Sequence, residues 1–264
     1  CNGEEFPAEI GLANFDSADG PKVLSTVIDM TGYVGITDEL KRSNKDLNDF
    51  AYVASHDLKA PLRGIMQLSS WVLEDVEDIA SEETKGHLAL LKSRTMRLEK
   101  LLDDLLEYSR VGKNLGGIKQ VDIKEMSEGL FFLLDPPSEF KLKVAGELPV
   151  FETLATPLEI IFRNLIGNAI KHHDSRSGTI TISCIEHSAY YEFFIENDGP
   201  AIEPKHHEKI FEMFKTLKPR DEVEGSGMGL AIIKKILGYQ GGDINVTSGE
   251  ERGVSFIFTW PKNY

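Results

Sequence analysis

Two groups of side chains in this 264-residue chain have the types and spacing to do chemistry. The first is His56 followed at once by Asp57, within the helix-forming stretch FAYVASHDLKAPL at residues 50–62. The carboxylate could hold one ring nitrogen and leave the other as an unprotonated nucleophile. Phe50, Ala54, Leu58, Leu62 and Ile65 recur at the spacing of one helical stripe. At about 100° per residue His56 falls nearly opposite Ala54 and Leu58, so the imidazole faces solvent or another domain. A surface histidine without a role would have the same signature. Pro61 removes a backbone donor five residues on and should kink the helix there.

The second group lies downstream. Asn164, Asn168, Lys171 and His172 share one face of the helical run PLEIIFRNLIGNAIKHH, a set that suits phosphates and a metal ion. Asn168 can offer a neutral oxygen to Mg²⁺. A solvated helix face explains the same four residues. Next comes ENDGPAI at 196–202, read as a turn after a strand, where Gly199 permits close backbone approach and a side-chain carbonyl could accept from an adenine amino group. Then GSGMGL at 225–230 opens a helix, where backbone amides and the macrodipole favour a phosphate. It lacks the preceding strand of a dinucleotide fold and the lysine of a P-loop.

The elements that must hold these groups follow from the same spacing. Apolar positions alternate at intervals of 4 and 3 along Ile36, Leu40, Ser43, Leu47, Phe50 and Ala54, a coiled-coil seam that feeds the His56 helix. Over residues 50–62 the interval becomes 4 throughout, a stutter that alters the local supercoil. The acidic stretch at 73–83 turns the chain, with Ser81 as N-cap of a second helix bearing Leu88, Leu91, Thr95, Leu98, Leu102 and Leu105. A lone hairpin of two such helices leaves apolar surface wet, so two copies should pair into a four-helix bundle. Ahead of the helices, two strand-like runs are joined by DSADGP. Beyond VGKNLGGIKQ, helical and strand-like runs mix, and adjacent strands without intervening helices indicate a mostly antiparallel or mixed sheet covered on one face. The fold class expected is α+β: a dimeric helical hairpin followed by an α/β sandwich. Its segments are 1–32, a hairpin; 33–49, a coiled-coil linker; 50–115, the helical hairpin; and 118–264, the sandwich.

A formal net charge of -14 argues against nucleic acid or an anionic membrane as a main partner, although a small positive patch around a nucleotide remains compatible with it. Two cysteines, Cys1 and Cys184, offer neither a disulfide framework nor a metal cluster, and a reducing cytosol fits them best. No apolar run approaches the ~18 residues of a membrane span, so any anchor is expected outside this chain.

The order and spacing of these motifs carry a resemblance. Residues 50–62 resemble the H-box of sensor histidine kinases in the form shared with phytochrome-type kinases. The three downstream motifs resemble the N, G1 and G2 boxes of that family's ATP-binding domain, a Bergerat-type fold, and IFEMF at 210–214 resembles the F box. The likeness spans residues 40–261, and VIDMTG resembles the close of a PAS domain, making 1–32 a remnant. By this resemblance His56 accepts phosphate, Asn168 holds Mg²⁺, Lys171 meets phosphate, and Asn164 and His172 line an ATP pocket. Asn197, Asp198, Gly199, Ala201 and Ile202 would serve the base, while Gly225, Ser226, Gly227, Met228, Gly229 and Leu230 would serve the phosphates. Residues 215–224 would be a lid carrying Arg220, and Gly253 and Ser255 match the closing strand. The family's G1 pattern has Asp and Gly where this chain has Asn197 and Ala201. Members that also dephosphorylate their partner carry Thr or Asn where this chain has Ala60. The resemblance implies ATP-dependent autophosphorylation on His56 and transfer to an aspartate of a response regulator. The partners it implies are a second copy, a receiver domain and an upstream sensor domain. The alternatives are a catalytically silent nucleotide-binding scaffold and a plain ATPase.

Overall fold

Asp29 closes a strand and opens a helix, its carboxylate accepting from the Thr31 N–H at 2.9 Å and from the Thr31 hydroxyl at 2.6 Å. The computed structural model describes residues 5–17, 20–76, 79–112, 116–217 and 225–262. They divide into two units, Cys1–Val53 and Ala54–Tyr264.

In the first unit β1 (Ala8–Ser17) and β2 (Gly20–Asp29) form an antiparallel hairpin paired from Ala8↔Asp29 to Ser17↔Gly20. Alternation puts Ile10, Leu12, Val23 and Val27 on one face and Phe15, Leu24 and Ile28 on the other, all exposed. Helix α1 (Thr31–Asp75) takes in the linker expected from residue 33 and continues unbroken through Pro61. The side chains of Leu40, Leu47 and Phe50, on which the seam depends, lie outside the described set.

The second unit opens with the rest of α1 and with α2 (Glu82–Arg110), whose N-cap is Ser81; its hydroxyl accepts from the Thr84 N–H at 3.2 Å. Cross-links between the two helices show their antiparallel course: Lys59 with Asp103, Arg63 Nε with Glu99 at 2.9 Å, and the Ser69 hydroxyl with the Leu88 carbonyl at 3.4 Å. The buried side chains here are Ser55, Ser69, Thr95 and Ser109, all small, with Leu106 near the end of α2, whereas Leu58, Ile65, Leu68, Leu91 and Leu98 are exposed. Two helices can cover only one stripe of each other, so part of the apolar repeat read from the sequence, Leu58, Ile65, Leu91 and Leu98, remains open in a single chain.

The remaining elements are β3 (Ile118–Asp122), α3 (Ile123–Leu133), β4 (Glu139–Ala145), β5 (Val150–Leu154), α4 (Ala155–Lys171), β6 (Ser177–Glu186), β7 (Tyr190–Pro200), α5 (Gly229–Gln240), β8 (Ile244–Ser248) and β9 (Arg252–Pro261). The main sheet runs β4-β6-β7-β9-β8; β4 and β6 are parallel and the other pairs antiparallel. Only one parity of each strand is deeply buried, as in Phe193 and Ile195 of β7 or Val254, Phe256, Phe258 and Trp260 of β9. These pack with Leu158, Phe162 and Leu165 of α4 and Ile232, Ile233 and Ile236 of α5, so the helices cover one face, as expected of a sandwich. A separate two-stranded ladder, β3 with β5, was not legible in the sequence. Its five-residue strands are too short to show a period, and the Trp260 indole, donating to the Thr153 hydroxyl at 2.8 Å, ties it to β9.

Candidate active site

His56 stands on α1 with its side chain 76% exposed, while its neighbour Ser55 is fully buried. One residue is about 100° of helix, so burial of Ser55 against the hairpin turns the imidazole outward. Nδ1 lies 3.2 Å from Asp57 Oδ1. A proton held on Nδ1 by that carboxylate leaves the lone pair on Nε2, the tautomer a nitrogen nucleophile needs.

The second group surrounds a cleft of about 590 Å³, within the range of small-molecule sites. Helix α4 buries Leu158, Ile161, Phe162, Leu165, Ile166 and Ala169, which leaves Asn164, Asn168, Lys171 and His172 on the cleft wall. Asn164 donates from Nδ2 to the Ile160 carbonyl at 2.8 Å. Its Oδ1 meets the start of α5, where a Cβ on residue 229 would stand 2.7 Å away, so only Gly229 lets the helix end approach. Helix α5 opens there with no side-chain cap, which leaves first-turn N–H groups for a ligand. Just before it, Gly227 has φ +73 and its carbonyl accepts from the Phe214 N–H at 3.0 Å, joining the 210–214 segment to the glycine loop.

The stretch at 196–202 is not a plain turn. Strand β7 continues to Pro200 across a bulge: Asn197 pairs with Val254 and Pro200 with Arg252, one residue in excess on β7. Asp198 is what permits this. Its Oδ1 accepts from the Thr179 N–H at 2.8 Å and faces His173 Nε2 at 3.1 Å, so a side chain continues the ladder toward β6. Arg252 clamps the same bulge, donating to the Asp198 carbonyl at 3.0 Å and to both oxygens of Asp174 at 2.8 and 3.0 Å.

Of the residues singled out in the sequence, Asn197, Ala201, Ile202, Gly225, Ser226, Gly227, Gly229 and Leu230 join the α4 set on the wall. Gly253 and four others do not reach it. Asp198 is held in the bulge, Gly199 lies beneath the Asn197 amide, Met228 is buried, and Ser255 alternates away from Val254 and Phe256, which do line the cleft. Strand parity could have selected Val254 over Ser255. Arg220 and residues 218–224 lie outside the described residues. Lys100 and Asp104 of α2 also line the cleft, and no local signal could have placed them there. Among the described lining residues are the cations Lys100, Arg163, Lys171 and Lys215; Lys100 pairs with Asp104, Arg163 with Glu107 and Lys215 with Glu212. The uncapped start of α5, with Lys171 on the same wall, fits a polyphosphate.

Residues 46–114 match the family model described as His Kinase A (phospho-acceptor) domain, and 153–264 match that of the histidine kinase-, DNA gyrase B-, and HSP90-like ATPase. Cyanobacterial phytochrome B of Nostoc is 37% identical over 84% of this chain, and the methanogenesis regulatory histidine kinase FilI of Methanothrix harundinacea is 28% identical over 84%. The chain spans 30% and 25% of those relatives. Two solved structures share the fold. ShkA full-length in complex with AMPPNP has TM-score 0.61 and 23% identity, covering 81% of this chain and 45% of its own. ThkA in complex with the response regulator TrrA has TM-score 0.57 and 22% identity, covering 96% and 75%. Among the described residues no helix is long and apolar enough to cross a membrane.

Proposed function

The chain belongs to the histidine kinases, a phospho-acceptor helix pair followed by that family's ATPase domain, and on this premise we propose that it transfers the γ-phosphoryl group of ATP to His56. The observation that carries the reading is the outward imidazole with Nδ1 against Asp57. Nε2 forms the bond to phosphorus as the bond to the bridging oxygen of ADP breaks, and Asp57 steadies the Nδ1 proton and the charge that develops on the ring. Asn164, Lys171 and the start of α5 hold the phosphates, while Asn197, Ala201 and Ile202 receive the base. Asn168 would hold Mg²⁺ through its neutral oxygen, which would neutralise charge on the phosphates. The phosphoryl group then passes to an aspartate of a response regulator, a partner of the kind seen with the similarly folded ThkA. Residues 50–115 serve as the phospho-acceptor part and 118–264 as the ATPase part. The acting form is a homodimer, in a reducing cytoplasm to which the free thiol Cys184 is suited, with residues 1–32 the remnant of a sensor domain and 33–49 the coiled-coil linker.

Incubation with γ-labelled ATP tests this. Acid-labile label on the chain is expected, and His56→Gln should abolish it while nucleotide affinity stays nearly unchanged. Undiminished labelling of the variant removes His56 from the role. Binding without any label would favour a silent scaffold, and free phosphate alone a plain ATPase.

A further inference from the structure

At the end of the cleft assigned to the base, the polar group supplied by the sheet is an amide. Asn197 shares the buried face of β7 with Phe193 and Ile195, and its ladder partners are Ile180 and Val254, both buried. The carboxylates beside it in sequence are directed elsewhere. Glu196 alternates to the opposite face, and Asp198 is held by the Thr179 N–H and His173. The Asn197 amide itself makes no hydrogen bond among the described residues. Gly199 makes room for it, since a Cβ there would stand 2.6 Å from Nδ2.

A primary amide presents one acceptor and one donor side by side. Adenine offers an amino donor next to the N1 acceptor, whereas guanine offers the O6 acceptor next to the N1–H donor. A half-turn of the terminal torsion exchanges oxygen and nitrogen, and that torsion is broad and roughly two-fold. The same side chain therefore matches either edge. A carboxylate, which only accepts, matches one group and opposes its neighbour on either edge: it takes the adenine amino group against N1, or guanine N1–H against O6.

We infer that Asn197 sets a purine-tolerant base site, so that the cleft binds GTP alongside ATP. The inference rests on the nucleotide reading of the cleft and specifies its substrate range.

Calorimetric titration of the full chain with Mg-ATP and Mg-GTP, followed by Asn197→Asp and Asn197→Ala, provides the test. In the unmodified chain the two dissociation constants should agree within about tenfold, the worth of one net hydrogen bond. Asn197→Asp should weaken both nucleotides, because a carboxylate opposes N1 of adenine or O6 of guanine. Asn197→Ala should weaken both nucleotides by about the same factor. A ratio above about tenfold in the unmodified chain, or an Asn197→Ala variant that binds both nucleotides as tightly as the unmodified chain, overturns the inference while ATP binding keeps the nucleotide site. Failure to bind either nucleotide overturns both.

Discussion

His56 and the cleft residues differ in what their chemistry demands of the fold. A phosphoryl acceptor needs an accessible nitrogen with its proton placed on the other one, and a neighbour in sequence can arrange that: Asp57 reaches Nδ1 at 3.2 Å without help from any other element. The nucleotide residues instead need convergence from α4, β7, the glycine loop and α5. Asn168→Ala should weaken Mg-ATP binding by at least the roughly 10- to 100-fold that even outer-shell changes cost a metal site, with helical content unchanged by circular dichroism. Normal Mg-ATP affinity in that variant would show that the metal is held elsewhere. Behind the cleft, the Arg252 guanidinium holds the Asp174 carboxyl below the usual range. For Asp198 burial pushes the carboxyl up, but the Thr179 amide and His173 outweigh it and the net shift is down. Groups depressed in this way stabilise the fold fully above the unfolded carboxylate value, about 4, and that contribution disappears as pH falls through the lower folded values. The thermal midpoint of the ATPase part should therefore be insensitive to these groups from pH 8 to about 5 and fall below about 4. Asp174→Asn should show a shallower acid decline, and an identical acid profile would refute the clamp.

At the scale of elements, the helical hairpin is held by its ends and by polar cross-links, with little buried apolar volume of its own. Ser81 accepts from the Thr84 N–H and satisfies one of the first-turn donors of α2. Ser81→Ala should cost roughly 1 kcal/mol of hairpin stability, read from denaturant midpoints by helical ellipticity. A change within error would mean that water or Thr84 replaces the cap. The bulge in β7 is a different device. By placing one extra residue between Asn197 and Pro200, it turns the Asp198 side chain into the ladder and keeps Asn197 on the cleft side of the sheet. The expectation of a turn after a strand missed this, because a bulge stabilised by a side chain from the same loop has no periodic signature.

For the whole molecule, the exposed leucines are the consequence that matters. Leu91 and Leu98 of α2, with Leu68 and Trp71 of α1, remain 47–58% exposed in a single chain. A second hairpin would bury them in a four-helix bundle, each methylene contributing about 0.8 kcal/mol. Leu98→Glu should convert the dimer into a monomer by light scattering while ATP still binds, and a dimer of unchanged affinity would place the interface on another face.

What the sequence determined by itself is what local periodicity and neighbouring residues can carry. The two helices of the hairpin and the cap at Ser81 belong here. So do the shared face of Asn164, Asn168, Lys171 and His172, the helix opened by GSGMGL, and the outward His56 beside Asp57. Each follows from intervals of a few residues, where backbone geometry fixes direction. Tertiary structure decided what depends on separated segments meeting. It paired β3 with β5 and brought Lys100 and Asp104 onto the cleft wall. It chose Val254 and Phe256 over Ser255, and it withdrew Asp198 from the cleft into a network with His173, Thr179, Arg252 and Asp174. Asp198 and Arg252 are 54 residues apart, and no pattern in a single sequence records a contact at that separation, because it is the packed sheet that sets the distance between them.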